Sequence, residues 1–206
     1  MKRLGGKQLF TVIMVIGAMI SLTVVASSYG SRPARALDQT AAEKAAQVKR
    51  GEYLVTIGGC NDCHTPWIMG KEGHPVPDMN RALSGHPSQF KIEKQARLEG
   101  DRWGFAGAVT NTAFSGPWGV SFAANLTPDR NTGIGIWTPE IFRATIRNGR
   151  HWGVARPLLP PMPWFNYRQM SDEDLNAVIA YLRTIKPVDN EVPTPLPPAT
   201  AQVAAK

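Results

Sequence analysis

The stretch Cys60-Asn-Asp-Cys63-His64 constrains this chain more than any other feature, because it holds both of the cysteines in 206 residues. Two thiols three positions apart with a histidine directly behind admit four chemistries: a structural zinc site, a redox dithiol, a disulfide clip, or covalent attachment of haem. A structural zinc needs four protein ligands. Here it would have to recruit two of His64, His74, His86 and His151, which lack the usual paired spacing. A thioredoxin-like dithiol opens a helix beside a βαβ pattern, and the chain offers no run of β-branched strands to build one. A disulfide clip would be a weak staple for a domain of this size and leaves the histidine unexplained. Haem attachment uses all three residues: Cys60 and Cys63 as thioethers to the porphyrin, and His64 as the proximal iron ligand. A single such motif predicts one haem c.

Export supports that reading. Lys2, Arg3 and Lys7 precede the uncharged stretch 9–26, and an Ala-Arg-Ala at 34–36 has the form of a cleavage site. The stretch suits either a cleaved signal peptide or an uncleaved anchor whose positive flank stays in the cytoplasm. Both place residues 37 onward outside the cytoplasm, so the expected location is periplasmic, soluble or anchored to the inner membrane by residues 9–26. The five basic residues ahead of position 37 account for all but +2 of the net charge of +7. The basic balance is therefore no argument for a nucleic-acid partner.

The expected organisation is a leader over 1–36, one domain over 37–187, and a Pro/Ala-rich disordered tail over 188–206. Residues 38–57 read as a helix with Thr40 as its N-cap. Residues 65–125 carry many Gly, Pro and Ser and read as a long loop-rich excursion with at most a short helical turn. Thr138-Pro139-Glu140 announces a second helix that stops at Gly149. The last helix starts at Ser171, where Ser171 and Asp174 approximate a capping box and Met170 and Leu175 stand at staple positions. Leu175, Val178, Ile179, Leu182 and Ile185 form its apolar face, and Pro187 ends it. Asp129, Asn131 and Glu140 stand at offsets suggestive of a Ca²⁺ loop, but Ile134 occupies the place that loop reserves for glycine, so the segment reads as a turn feeding a helix.

A haem iron held by one histidine has a second face. A thioether suits electron transfer, because Met/His ligation raises the potential. Met69, Met79, Met162 and Met170 follow the motif. Met162 sits in "LLPPMPW", where three prolines restrict the backbone, and is the expected distal ligand. Its bland alternative is a gap-filling core methionine; Met170 already has a structural reason as a staple, and His86 and His151 are the rival ligands. Trp137, Trp152 and Trp164 read either as crevice walls or as ordinary core. Arg150 and Arg156 read either as partners for haem propionates or as exposed basic residues.

The order helix, CxxCH, loops, helix, proline-flanked methionine, closing helix resembles a class I cytochrome c over about residues 38–187. The stretches "GPWGVSFAANLTPDRNTGIGIWTPEIF" (116–142) and "RPLLPPMPWFNYRQMSDEDLNAVIAYLR" (156–183) are similar to bacterial exported monohaem cytochromes that accompany dehydrogenases or oxidases. The resemblance implies an all-α fold wrapped round one covalent haem, with a long loop-rich insertion. It also implies that the first and last helices cross, with Gly51 near Tyr181. The interval of 98 positions between His64 and Met162 departs from a minimal cytochrome. The function so implied is single-electron carriage between redox protein partners, without catalysis. The alternative is a haem enzyme or ligand sensor with an open sixth iron position.

Overall fold

The computed structural model of the protein describes residues 40–96 and 103–199. The chain divides into residues 1–42 and 43–206, and the account below concerns the second unit. The expected leader, with its apolar stretch 9–26, lies outside the described residues, as do residues 200–206 of the expected tail. Among the described residues no helix is long and apolar enough to cross a membrane.

Three helices form the main core. Helix α1, Ala41–Ile57, ends against the short helix α2, Cys60–His64. Helix α3, Pro139–Asn148, begins where Thr138 Oγ1 accepts from the backbone N–H of Ile141 at 3.3 Å, and it closes at Gly149. After the one-turn α4, Trp164–Tyr167, comes α5, Asp172–Leu182. At its start Ser171 Oγ accepts from the Asp174 N–H at 3.1 Å. The reciprocal half of the expected capping box is replaced by a longer-range contact: the Asp174 carboxylate accepts from Arg50 Nε and Nη2, at 2.9 and 3.2 Å, and so ties α5 to α1.

Helices α1 and α5 do cross at Gly51. A β-carbon there would stand 1.9 Å from the Ala177 carbonyl oxygen and 2.8 Å from Tyr181 Cβ. Only glycine lets the two backbones approach so closely. The apolar faces of α1, α3 and α5 then bury Val55, Phe142, Ile146, Leu175, Ile179 and Leu182 in one cluster with Ile134 and Trp137. Helix α5 closes at Leu182, ahead of the expected stop at Pro187. There Arg183 donates to the Trp137 carbonyl and the Thr184 N–H reaches back to the Tyr181 oxygen, tightening the last turn.

The all-α expectation is overturned by two antiparallel sheets inside the segment read as loop. Strands β1, Trp67–Met69, and β2, Pro75–Pro77, form a hairpin with Trp67 opposite Pro77. Strands β3, Ala106–Gly107, β4, Ala113–Gly116, and β5, Gly119–Phe122, form a second sheet with Ala113 opposite Phe122. A 3₁₀ turn, Met79–Arg81, lies between the two. Strands of two to four residues are too short for an alternating pattern to register, and β4 and β5 are buried at every position, so no alternation exists to be read.

Residues 188–199 of the expected tail pack along this sheet. Leu196 bridges Val120 by paired backbone hydrogen bonds of 2.9 and 3.0 Å. Asn190, 2% exposed, donates to the carbonyls of Ser84 and His86 and accepts from the N–H of Ser88.

Candidate metal centre

The CNDCH motif is itself a helical turn and a half. Gly59 adopts a left-handed conformation, φ 65°, that breaks α1 and restarts the chain as α2. Helical spacing places Cys60 and Cys63 on one face, and neither thiol is bonded to the other. Burial pushes the Cys60 thiol up to about 11. Burial raises Cys63 as well, assisted by the Asp62 charge. A reactive redox dithiol requires the opposite shift. The turn is clamped on its outer side by Asn111, whose amide donates to the Asp62 carbonyl at 2.7 Å.

His64 is half-buried, and its Nδ1 lies 2.7 Å from the carbonyl oxygen of Ala124. A carbonyl accepts only, so Nδ1 carries the proton and Nε2 keeps its lone pair. Burial lowers the His64 pKa, against the raising effect of the Ala124 bond, which favours the neutral ring. A metal-ligating histidine has this form: one nitrogen tethered in a fixed tautomer, the other free to coordinate. The acceptor is positioned by backbone pairing. The Gly85 N–H bonds the His64 carbonyl at 2.7 Å, the His86 N–H bonds the Ala123 carbonyl at 2.9 Å, and the Leu126 N–H bonds the Leu83 carbonyl at 2.9 Å. Residues 83–86 and 123–126 thus form a ledge beneath the histidine, delivered by the end of β5.

The methionine loop approaches from the other end of the chain. It contains a cis bond between Pro160 and Pro161. Met162 is half-buried and packs, like Cys60, against the main helical core. Two contacts hold the loop. Ser121 of β5 donates through Oγ to the Pro160 carbonyl at 2.6 Å. In α4, Tyr167 donates through its hydroxyl to the Gly58 carbonyl at 2.5 Å, just ahead of Cys60. Met69 and Met79 are exposed, at 69% and 64%, and Met170 packs against the helical cluster to which Leu175 belongs.

Of the rival histidines, His86 has both ring nitrogens engaged, with Thr112 Oγ1 at 2.9 Å and the Phe90 carbonyl at 2.8 Å. It is a structural residue of the sheet. His151 is half-buried against Trp137 and Trp152, with ring centroids 5.4 and 6.3 Å away. Asp129 accepts from the N–H groups of Asn131 and Thr132 and from the Thr132 hydroxyl, so the suspected Ca²⁺ loop is a self-satisfied turn. Among the described residues no three His, Cys, Asp or Glu side chains converge as a metal-holding group.

Sequence reasoning missed Ala124, Ser121 and Tyr167. A backbone carbonyl carries no side-chain signal, and a serine or tyrosine acting across 39 or 109 positions has no local pattern. The donor set as built fits a covalently attached haem: two unpaired thiols on one helical face, a neutral histidine presenting Nε2, and a thioether packed on the same core.

No family model matches the chain. It is 32% identical over 160 residues to the gluconate 2-dehydrogenase cytochrome c subunit of Pantoea cypripedii, covering 73% of this chain and 27% of that protein. It is 32% identical over 152 residues to the fructose dehydrogenase cytochrome subunit of Gluconobacter japonicus, covering 73% and 24%. With the alcohol dehydrogenase (quinone) cytochrome c subunit of Gluconobacter oxydans it shares 28% over 169 residues, covering 82% and 26%. The chain thus spans about a quarter of the length of these relatives. These relatives are cytochrome subunits of dehydrogenases, which supports a c-type cytochrome with covalently bound haem and a part in electron transfer.

Proposed function

We propose that the chain is a monohaem c-type cytochrome that carries single electrons between a dehydrogenase-type donor and a second redox protein in the periplasm. Residues 9–26 would serve as its signal or its inner-membrane anchor. When bound, haem c supplies an iron that cycles by one electron. Cys60 and Cys63 would hold it as thioethers, and His64, through Nε2, and Met162 would ligate its iron. Ala124 keeps the His64 ring in one tautomer and one orientation, and raises its basicity. Ser121 and Tyr167 hold the loop on which Met162 stands. The observation that carries this reading is the His64–Ala124 bond within a CNDCH helix whose two thiols stay separate.

The test is the absorption spectrum of the matured protein, reduced and oxidised, before and after carbon monoxide. A c-type spectrum unmoved by the gas, with a methionine–iron band that Met162→Ala abolishes, is expected. Rapid uptake of carbon monoxide by the native protein would replace the carrier with a gas-binding or catalytic haem protein. A matured protein whose mass shows no attached haem would end both readings.

A further inference from the structure

From Ile141 to Ser171 the chain contains five arginines and no aspartate or glutamate. Two of the five are neutralised by their surroundings: Arg143 pairs with Glu140 and Arg147 with Asp172. Arg150, Arg156 and Arg168 are exposed, and among the described residues none of them has a carboxylate partner. They belong to one surface. The Arg150 guanidinium donates to the Ala155 carbonyl at 2.8 Å, and the His151 N–H bonds the Arg156 carbonyl at 2.9 Å. The Trp164 indole occupies the space beside Gly149, and the Arg168 guanidinium stands 5.6 Å over that indole.

Apolar side chains project among these charges. Trp152 is 37% exposed, Phe165 57% and Val154 79%. Trp152 is held outward by a left-handed backbone, φ 57°, that a bulky residue adopts only under constraint from its neighbours. Trp137 and His151 pack against its ring. Trp and Arg are the side chains most enriched where protein interfaces concentrate their binding energy. The stretch contains no lysine, the residue that interfaces disfavour. The surface is built on both ends of the segment that carries Met162.

We propose that this face is the docking surface for the redox partner, and that the partner presents an apolar centre rimmed by carboxylates. Unpaired guanidinium groups would meet the rim bidentately, while Trp152, Val154 and Phe165 fill the centre. The inference rests on the carrier reading above and names the chemistry of its partner. The near-neutral balance of residues 37–206 thus conceals a local field of one sign.

The experiment uses the full-length holoprotein with two one-electron oxidants, the hexacyanoferrate(III) anion and an acidic blue copper protein. In each exchange the haem iron loses one electron and the probe's Fe(III) or Cu(II) gains it. Affinity for the copper protein is measured separately by titration at several salt concentrations. Arg156→Glu with Arg168→Glu is expected to slow both exchanges at least about tenfold at low salt, with the difference vanishing at high salt. Trp152→Ser with Phe165→Ser is expected to weaken and slow the copper protein alone. Haem content, spectrum and potential should match the native protein in all variants.

Unchanged rates and affinities in spectrally intact arginine variants would overturn the proposal and leave the carrier reading standing. Altered haem content or potential would assign the arginines to the cofactor's own carboxylates and overturn it as well. Loss of binding to anionic phospholipid vesicles, with the copper protein unaffected, would make the face a membrane surface instead. A native protein that exchanges electrons with neither probe would sink the carrier reading itself.

Discussion

Ten buried apolar residues, contributed mainly by α1, α3 and α5, form one cluster, whereas the apolar cluster of the sheet is Ala113, Val120 and Phe122, with Phe114 of β4 also buried. The sheet region buries more polar side chains than apolar ones: Thr110, Thr112, Ser115, Ser121, His86 and Asn190 are all buried there. The two regions should therefore fail differently. Hydrocarbon tolerates modest changes of shape and loses stability in proportion to the cavity left. A polar cluster gains little per bond, but losing one member strands its partners. Yet the hydrocarbon-poor region places Ala124 against His64 and Ser121 against the methionine loop. The helical region carries Cys60, Cys63 and His64 in α2, and the sheet region positions His64 and the loop that carries Met162.

The largest effect is expected from the helical side. Leu175→Ala removes a side chain 1% exposed at the centre of the cluster, and should cost about 2–5 kcal/mol in denaturant unfolding. A loss below about 1 kcal/mol would mean that the helices do not depend on this core. Next comes Asn190→Ala, which strands the Ser84 and His86 carbonyls and the Ser88 N–H, for about 1–3 kcal/mol. Hydrogen exchange after this substitution should show lost protection in residues 83–90 and 119–123, with α5 unaffected. Equal loss in α5 would show one cooperative unit and erase the distinction between the regions.

Ser121→Ala is smaller, about 1 kcal/mol for one hydrogen bond, but it tests the functional link. With the Pro160 carbonyl released, the methionine loop should loosen, so that, on the proposed ligation by Met162, the reduced holoprotein should take up carbon monoxide more readily than the native protein. Unchanged uptake would show that α4 alone, through Tyr167, holds Met162 in place.

The same contrast explains what could be read from the chain in advance. The helices announced themselves through Thr138-Pro139, Ser171 and the apolar spacing from Leu175 to Leu182, all local signals. The crossing at Gly51 came from the resemblance, and the approach to Ala177 gives its physical reason. The candidate ligands were legible because CNDCH is contiguous and Met162 is framed by prolines. The sheet was not, because its strands are too short for periodicity and are joined by contacts such as Val120 with Leu196. Composition also misrepresented 188–199. Proline and alanine suggest a solvated tail, while Asn190, the bond from Asn125 to the Val188 carbonyl and the backbone pairing of Leu196 with Val120 hold the segment in place.

The smallest effect is a pH dependence confined to the sheet. His86 is completely buried, with both ring nitrogens bonded and its ring packed against Phe90 and Phe122. Burial pulls its pKa below the ordinary histidine value of 6.5, against the raising effect of the Phe90 carbonyl. The unfolded chain therefore takes up a proton at a pH where the folded chain refuses it. Stability tied to His86 is full above about pH 6.5 and is lost as pH falls from there towards the folded-state pKa. His64 and His151 shift in the same direction, so the contribution of His86 is the difference between two curves. His86→Gln keeps a donor and an acceptor but cannot titrate, and its stability should fall less than that of the native protein between pH 7 and pH 5. Parallel curves would mean that the folded sheet admits the proton, and that its polar core is wetter than the packing around His86 implies.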